Sequence, residues 1–203
     1  MMMAAALLTA TSCSDFDDYN EVQINTEQSA NLTLWENIEQ NSQLSQFKEL
    51  IEKAGFADEL KGSRYYTVWA PLNNTFDKAA YDTLSKDEIM ARFVYNHVAD
   101  YNHPISGDVI NKVFTLNRKT HNFVGNGGAF TFAGVQLAQV NIPSTNGLIH
   151  TMNGAVEFYF NIYDYIMSFQ TTDSIGSYFA KYETRELDKV NSVQGPMVNG
   201  LQT

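Results

Sequence analysis

The side chains of this chain that could carry acid–base or metal chemistry are few: His97, His103, His121, His150 and one thiol, Cys13. A zinc site draws its ligands from closely spaced pairs such as C-x-x-C or H-x-x-x-H. None of the five residues stands at such a spacing, so no metal site is expected. A nucleophile on a strained strand-to-helix turn would show G-x-S-x-G, which does not occur. Gly125, Gly127 and Gly128 fail as a phosphate cradle, because a β-type run follows them rather than a helix. The adjacent carboxylates Asp87 and Glu88 open a helical segment and answer its dipole instead of forming an acid–base pair. His97 falls four residues after Phe93, itself four after Ile89, so all three share one helical stripe. A histidine there is expected to be a buried hydrogen-bonding residue. His150 alternates with Leu148 along a strand and reads the same way. The expectation is a protein with no catalytic residues and no cofactor.

The elements that must position these residues follow from periodicity. Leu44, Phe47, Leu50, Ile51 and Ala54 recur at three- and four-residue intervals, predicting a helix over 31–56 that stops at Gly55. Tyr65–Ala70 (YYTVWA) is a β-rich run closed by Pro71. Ser85 and Glu88 form a capping box that starts a helix at Lys86. From Val113 onward the pattern is β. KTHNFV and AFTFAG are joined by Gly125-Asn126-Gly127-Gly128, a hairpin turn. Val135 and Leu137, then Val140 and Ile142, alternate with a slip at Ala138 or Gln139 that predicts a bulge. Gly147–Thr151 and Ala155–Tyr159 read as the last strands of this unit. Beyond it Ile162, Tyr163 and Ile166 are helical, and Asp173 is placed to cap a helix carrying Ile175, Tyr178, Phe179 and Tyr182. Gly195–Gly200 reads as a turn and the start of a hairpin whose closing strand is missing.

Bulk properties narrow the classes. The 203 residues are 44% hydrophobic, enough for a real core, and carry 13 Lys+Arg against 23 Asp+Glu, a net charge of −10. Nucleic acid is excluded as a partner, since it would need a basic stripe. One cysteine allows no internal disulfide. The most apolar late stretch, 155–169, is broken by Glu157, Asn161 and Asp164, too polar for a membrane span.

Thr67-Val68-Trp69-Ala70-Pro71-Leu72-Asn73-Asn74-Thr75-Phe76 resembles the first signature box of fasciclin domains, with Trp69 in place of the usual Phe. Asn146-Gly147-Leu148-Ile149-His150-Thr151-Met152-Asn153 resembles the second, with Asn153 where Asp is common. Between them Phe93–Val98 is similar to the family's tyrosine-histidine segment, with Asn96 inserted between Tyr95 and His97. The resemblance covers about 31–160. It implies an α+β fold, a fasciclin-like β-sandwich wedge with several helices packed at one edge. It also implies a non-catalytic adhesion or ligand-binding module, with Tyr95, His97 and Tyr101 as partner-binding residues.

Residues 1–12 are uncharged and apolar, and Ala10-Thr11-Ser12 before Cys13 resembles the lipobox of bacterial lipoproteins, although no Lys or Arg precedes the apolar run. In that class Cys13 becomes the lipid attachment point, and Ser14–Asp18 resembles an acidic export tag. The alternative is a cytosolic chain with a chance apolar start. The expected organisation is a signal peptide at 1–12, a lipidated cysteine and acidic tether at 13–30, a fasciclin-like domain at 31–160, and a helical linker with the truncated start of a further module at 161–203. The protein would then sit on the cell outer membrane, lipid-anchored and surface-exposed, touching the membrane through its anchor alone. Its partners would be extracellular matrix, a cell-surface protein or a glycan. A second reading is a carbohydrate-capture accessory lipoprotein of an outer-membrane uptake system. Tyr95, Tyr101, Tyr159, Tyr163 and Tyr165 could line a contact surface or fill a core. Asp82-Thr83-Leu84 and Asp173-Ser174-Ile175 resemble bacterial O-glycosylation acceptors.

Overall fold

Every residue of strand β1 (Tyr66–Pro71) is buried, the mark of a strand covered on both faces. The computed structural model describes residues 26–169, 171–172 and 174–182, with the backbone of 197–198 and 201–202. In it β1 pairs in parallel with β7 (Gly147–Met152), from Tyr66 opposite Gly147 to Pro71 opposite Met152. The two stretches that resemble signature boxes are therefore neighbouring strands in register.

Around this pair lie β2 (Val98–Asp100), β3 (Val109–Phe114), β4 (Thr120–Asn126), β5 (Ala129–Phe132) and β6 (Val135–Ser144). Their order is β2-β1-β7-β6-β5-β4-β3. Two register shifts in β6, between Leu137 and Gln139 and between Gln139 and Ile142, bend the sheet where the alternation slips. Its two ends meet again through a bridge between Ala99 and Thr115. The strands thus fold over a core of Trp69, Ile105, Val113, Phe123, Phe132 and Met152. The opposite face of β1 and β7 carries Val68, Ala70 and Ile149 into a second core with Leu34, Phe47, Ile51 and Phe93 from the helices.

Those helices are α1 (Thr26–Ser29), α2 (Leu34–Gln40), α3 (Ser45–Ala54), α4 (Ala57–Lys61), α5 (Lys78–Asp82) and α6 (Lys86–Arg92). The single helix expected over 31–56 is broken at Asn41, whose extended backbone (φ −89°, ψ 105°) and side chain start a 3₁₀ turn at Ser42–Leu44. Helix α3 has no capping side chain of its own. Asn73 from the first box supplies one, its Oδ1 accepting from Gln46 N–H and its Nδ2 donating to Ser42 O and Ser45 Oγ. A long-range tertiary contact therefore places this helix start. The Ser85–Glu88 capping box is formed as expected. Gly127 (φ 58°) and Gly128 (φ 84°) make the β4–β5 turn. Strand β3 starts at Val109, before the expected Val113, and Ala155–Tyr159 is not a strand. Its backbone groups are taken by side chains instead: Val156 N–H and O and Glu157 O bond to His97 and Asn96.

The chain separates into two compact units between Phe158 and Tyr159. In the second, α7 (Ile162–Ser168) is capped by Asn161 and α8 is Ser174–Tyr182. Tyr163, Tyr165, Tyr178 and Phe179 are all exposed. Met197–Val198 (β8) pairs with Leu201–Gln202 (β9), so the hairpin read as unclosed does close. Asp173 and Cys13 lie outside the described residues. No described helix is long and apolar enough to cross a membrane.

The tightest backbone approach is at Gly147 (φ 154°), where a Cβ would fall on the Tyr66 carbonyl oxygen and 3.0 Å from Leu34 Cδ1. Gly147→Ala is expected to cost about 3 kcal/mol or more, or to prevent folding. Urea unfolding of the variant against wild type measures it.

Candidate functional site

The 3₁₀ turn Val94–Asn96 ends α6 and delivers Tyr95, Asn96 and His97 in three directions. His97 is fully buried. Its Nε2 accepts from Val156 N–H at 2.8 Å, so the ring proton sits on Nδ1, which donates to Phe93 O at 2.7 Å. Asn96, also fully buried, donates to Val156 O and Glu157 O and accepts from Asn117 Nδ2 and His121 Nε2. Treated in the sequence as an insertion, Asn96 is the residue that ties the β3–β4 turn, β4 and the 156–157 segment together. The signal that could have found it is a strongly polar side chain between two apolar positions of a buried segment, which must be hydrogen-bonded.

His150 is held by the same logic on the opposite side of β1. Its Nδ1 accepts from Asn141 N–H at 3.1 Å, leaving the proton on Nε2, which donates to His103 O at 3.1 Å. The ring stacks beside Trp69, with centroids 5.6 Å apart and planes 16° from parallel, and Trp69 stacks in turn on Phe132 at 4.0 Å. The indole N–H of Trp69 is buried without a partner. A tryptophan where the family pattern has phenylalanine explains this, since a slot shaped for a hydrocarbon ring offers no acceptor.

Desolvation on burial lowers the pKa of both rings from the ordinary 6.5 to about 4. The bonds to Phe93 O and His103 O oppose the shift without overcoming it. Each ring is neutral at pH 7, and protonation would put a second N–H against the amide it now accepts from.

Of the three residues expected to meet a partner, His97 exposes no surface, so its place is in the core. Tyr95 is half-buried against Phe56, with ring centroids 5.8 Å apart. It helps line an open groove of about 400 Å³ with Phe56, Glu59, Arg64, Met90 and Leu116. Tyr101 is 76% exposed. Its backbone has φ 68° and is fixed from both ends, because Tyr101 N–H donates to Tyr65 O and Thr67 Oγ1 donates to Tyr101 O at 2.7 Å. Thr67 Oγ1 in turn accepts from His103 N–H at 2.9 Å. The adjacent Tyr65 is 52% exposed, and Arg64 pairs with Asp100 at 2.7 Å. On β5 Phe132 is fully buried and offers no contact surface, whereas Phe130 is half-buried. Thr83 is exposed, its hydroxyl donating to Ala80 O at the end of α5. Among the described residues no three His, Cys, Asp or Glu side chains gather as metal ligands.

The fasciclin domain model matches residues 42–156, more than half of the chain. The chain belongs to the fasciclin domain family. Among solved structures it is similar to a FAS1 domain pair from the insect cell adhesion molecule fasciclin I, at 17% identity and a TM-score of 0.50. That match covers 62% of this chain and 50% of the other, so the chain spans about half the length of the structure it resembles. The α+β wedge expected from the signature boxes is the fold observed. No curated protein sequence matches. Fasciclin domains are typically adhesion modules in homologues, and the two boxes here supply the central strands of this one.

The two neutral histidines make stability depend on pH. Each folded pKa lies below the unfolded 6.5, so the unfolded chain binds more protons between pH 6.5 and 4. Their stabilisation, roughly 3 kcal/mol each, is fully present above pH 6.5 and is lost as pH falls toward 4. From pH 7 to pH 5 each ring withdraws roughly 2 kcal/mol. Urea unfolding at the two pH values is expected to show this loss, and His97→Gln to remove about half of the histidine share.

Proposed function

We propose that this fasciclin domain is a non-catalytic adhesion module of a lipid-anchored surface protein, and that it grips its partner with Tyr101. The observation that carries the reading is the combination at that residue. A large aromatic side chain is turned to solvent, while its backbone sits in the left-handed region, costly for a non-glycine residue, and is bonded at both N–H and C=O. Such strain persists only where surrounding bonds over-determine it, and it clusters at binding sites. A ring held in this way loses little conformational freedom on binding, which favours tyrosine as an interface anchor. Tyr65 and the groove lined by Tyr95 extend the same edge of the domain. The anchoring half of the proposal rests on the sequence, on Cys13 after its apolar lead. Two or more acyl chains would hold the protein stably, whereas one holds only marginally.

Tyr101→Ala is expected to leave the unfolding free energy within about 0.5 kcal/mol of wild type, as for other exposed sites. Attachment of cells displaying it to matrix-protein or glycan-coated surfaces is expected to fall at least tenfold, about 1.4 kcal/mol. Unchanged attachment to both surfaces would sink the reading. Loss on glycan alone would favour the carbohydrate-capture alternative. Cys13→Ala is expected to release the protein from the membrane fraction and to abolish metabolic fatty-acid labelling, with wild type as the labelled control.

A further inference from the structure

All 23 acids of the chain lie outside residues 109–156, a stretch that carries Lys112, Arg118 and Lys119. A protein of net charge −10 therefore has a long acid-free stretch, which holds β3 to β7. Strand β3 forms the outer edge of that region, paired with β4 on one side only. Past its last residue the Ala99–Thr115 bridge closes the sheet, and along Val109–Phe114 no other described strand pairs with it. Alternate amides and carbonyls of that edge are thus unpaired with protein, a template for a further strand.

The side chains along the edge are unusual for one left to solvent. Ile110, Lys112 and Phe114 alternate to the same face, and Ile110 is 72% and Phe114 58% exposed. Opposite them on β4 stand Val124, Asn122 and Thr120. Among the described residues none of the three cations joins an ion pair. The β3–β4 turn that carries Arg118 (φ 63°) is tied by hydrogen bonds. Arg118 N–H donates to Thr115 O, and Asn117 is bonded to Tyr95 O through its N–H and to Asn96 Oδ1 through its side chain. The nearest acid before the strand, Asp108, is engaged by Gly127 N–H at 2.7 Å.

We propose that the β3 edge receives an extended acidic segment of a partner protein, added as an eighth strand. Its backbone would pair along Val109–Phe114, its apolar side chains would cover Ile110 and Phe114, and its carboxylates would face Lys112, Arg118 and Lys119. Strand addition takes affinity from main-chain bonds and specificity from alternate side chains. Here the alternation offered is apolar, cationic, apolar. The exposed acid-free face selects for negative charge, and the rest of the surface repels it.

The probe is a fluorescein-labelled octapeptide alternating valine and glutamate, titrated by anisotropy onto the full chain, beside the same peptide with lysine for glutamate. A third peptide carries N-methyl groups on alternate amides. The glutamate peptide is expected to bind at 50 mM salt and to weaken at least tenfold at 300 mM, as contact between opposite charges requires. The lysine and N-methyl peptides are expected not to bind. Lys112→Glu with Arg118→Glu, both at exposed positions, is expected to reduce binding at least tenfold with the thermal midpoint held. Tyr101→Ala is expected to keep it, which separates this surface from the adhesion face. Equal binding of the N-methyl peptide, or binding untouched by the charge reversal, would overturn the proposal. So would binding of polygalacturonate, but not peptide, at this site, since that would make the face a reader of anionic glycan.

Discussion

The parallel pairing of β1 with β7 is the contact on which the rest of this domain depends. Strands whose paired residues lie 81 apart in sequence must lie side by side, and the junction leaves no room for error at Gly147. Just before it, Asn146 accepts from Leu34 N–H and donates to Leu60 O and Gly62 O. One buried amide thus joins the first turn of α2 to the end of α4 where β7 begins. Asn73 does the equivalent for α3 from the end of β1. The signature boxes are therefore strands with a polar residue at one end, and that residue fixes where the helices start and stop.

Both cores share the pair because side chains of a strand alternate. Val68 and Ala70 face the helices, whereas Trp69 faces the folded sheet. Each core also contains a neutral histidine that satisfies backbone groups irregular chain would leave unpaired: Val156 N–H for His97, Asn141 N–H for His150. A buried amide without a partner would cost about 1–3 kcal/mol. The rings therefore substitute for missing ladder bonds at two places where the β pattern ends or bulges. Trp69 shows the opposite case, a buried N–H that its slot does not satisfy.

Both proposed contact surfaces lie at the rim of this scaffold. Tyr101 sits just past the end of β2, and Ile110, Lys112 and Phe114 lie on β3, the two end strands of one sheet. Because the central strands are wholly committed to packing, the edges are where side chains can vary without disturbing either core. The partition of charge sharpens the difference between them. Arg64 and Asp100 pair beside Tyr101, whereas among the described residues Lys112, Arg118 and Lys119 join no ion pair.

Periodicity and turn chemistry determined much of this protein before any coordinates: β1, the start of α6, the Gly127-Gly128 hairpin and the slip in β6 are local events, specified by residues adjacent in the chain. His97 was legible as a core residue from its place four after Phe93. The start of α3, the early start of β3 and the absence of a strand at 155–159 were not legible, because each is decided by a partner elsewhere in the chain. Asn73 sets the start of α3. Asn96 and His97 take the groups that a strand at 156 would have offered to a neighbour. The resemblance points to Tyr101 as a contact residue, and only the fold shows its ring outward on a pinned backbone, while turning Tyr95 half inward and His97 wholly so. Sequence distance hides such contacts, since a hydrogen bond 60 residues long leaves no period behind it.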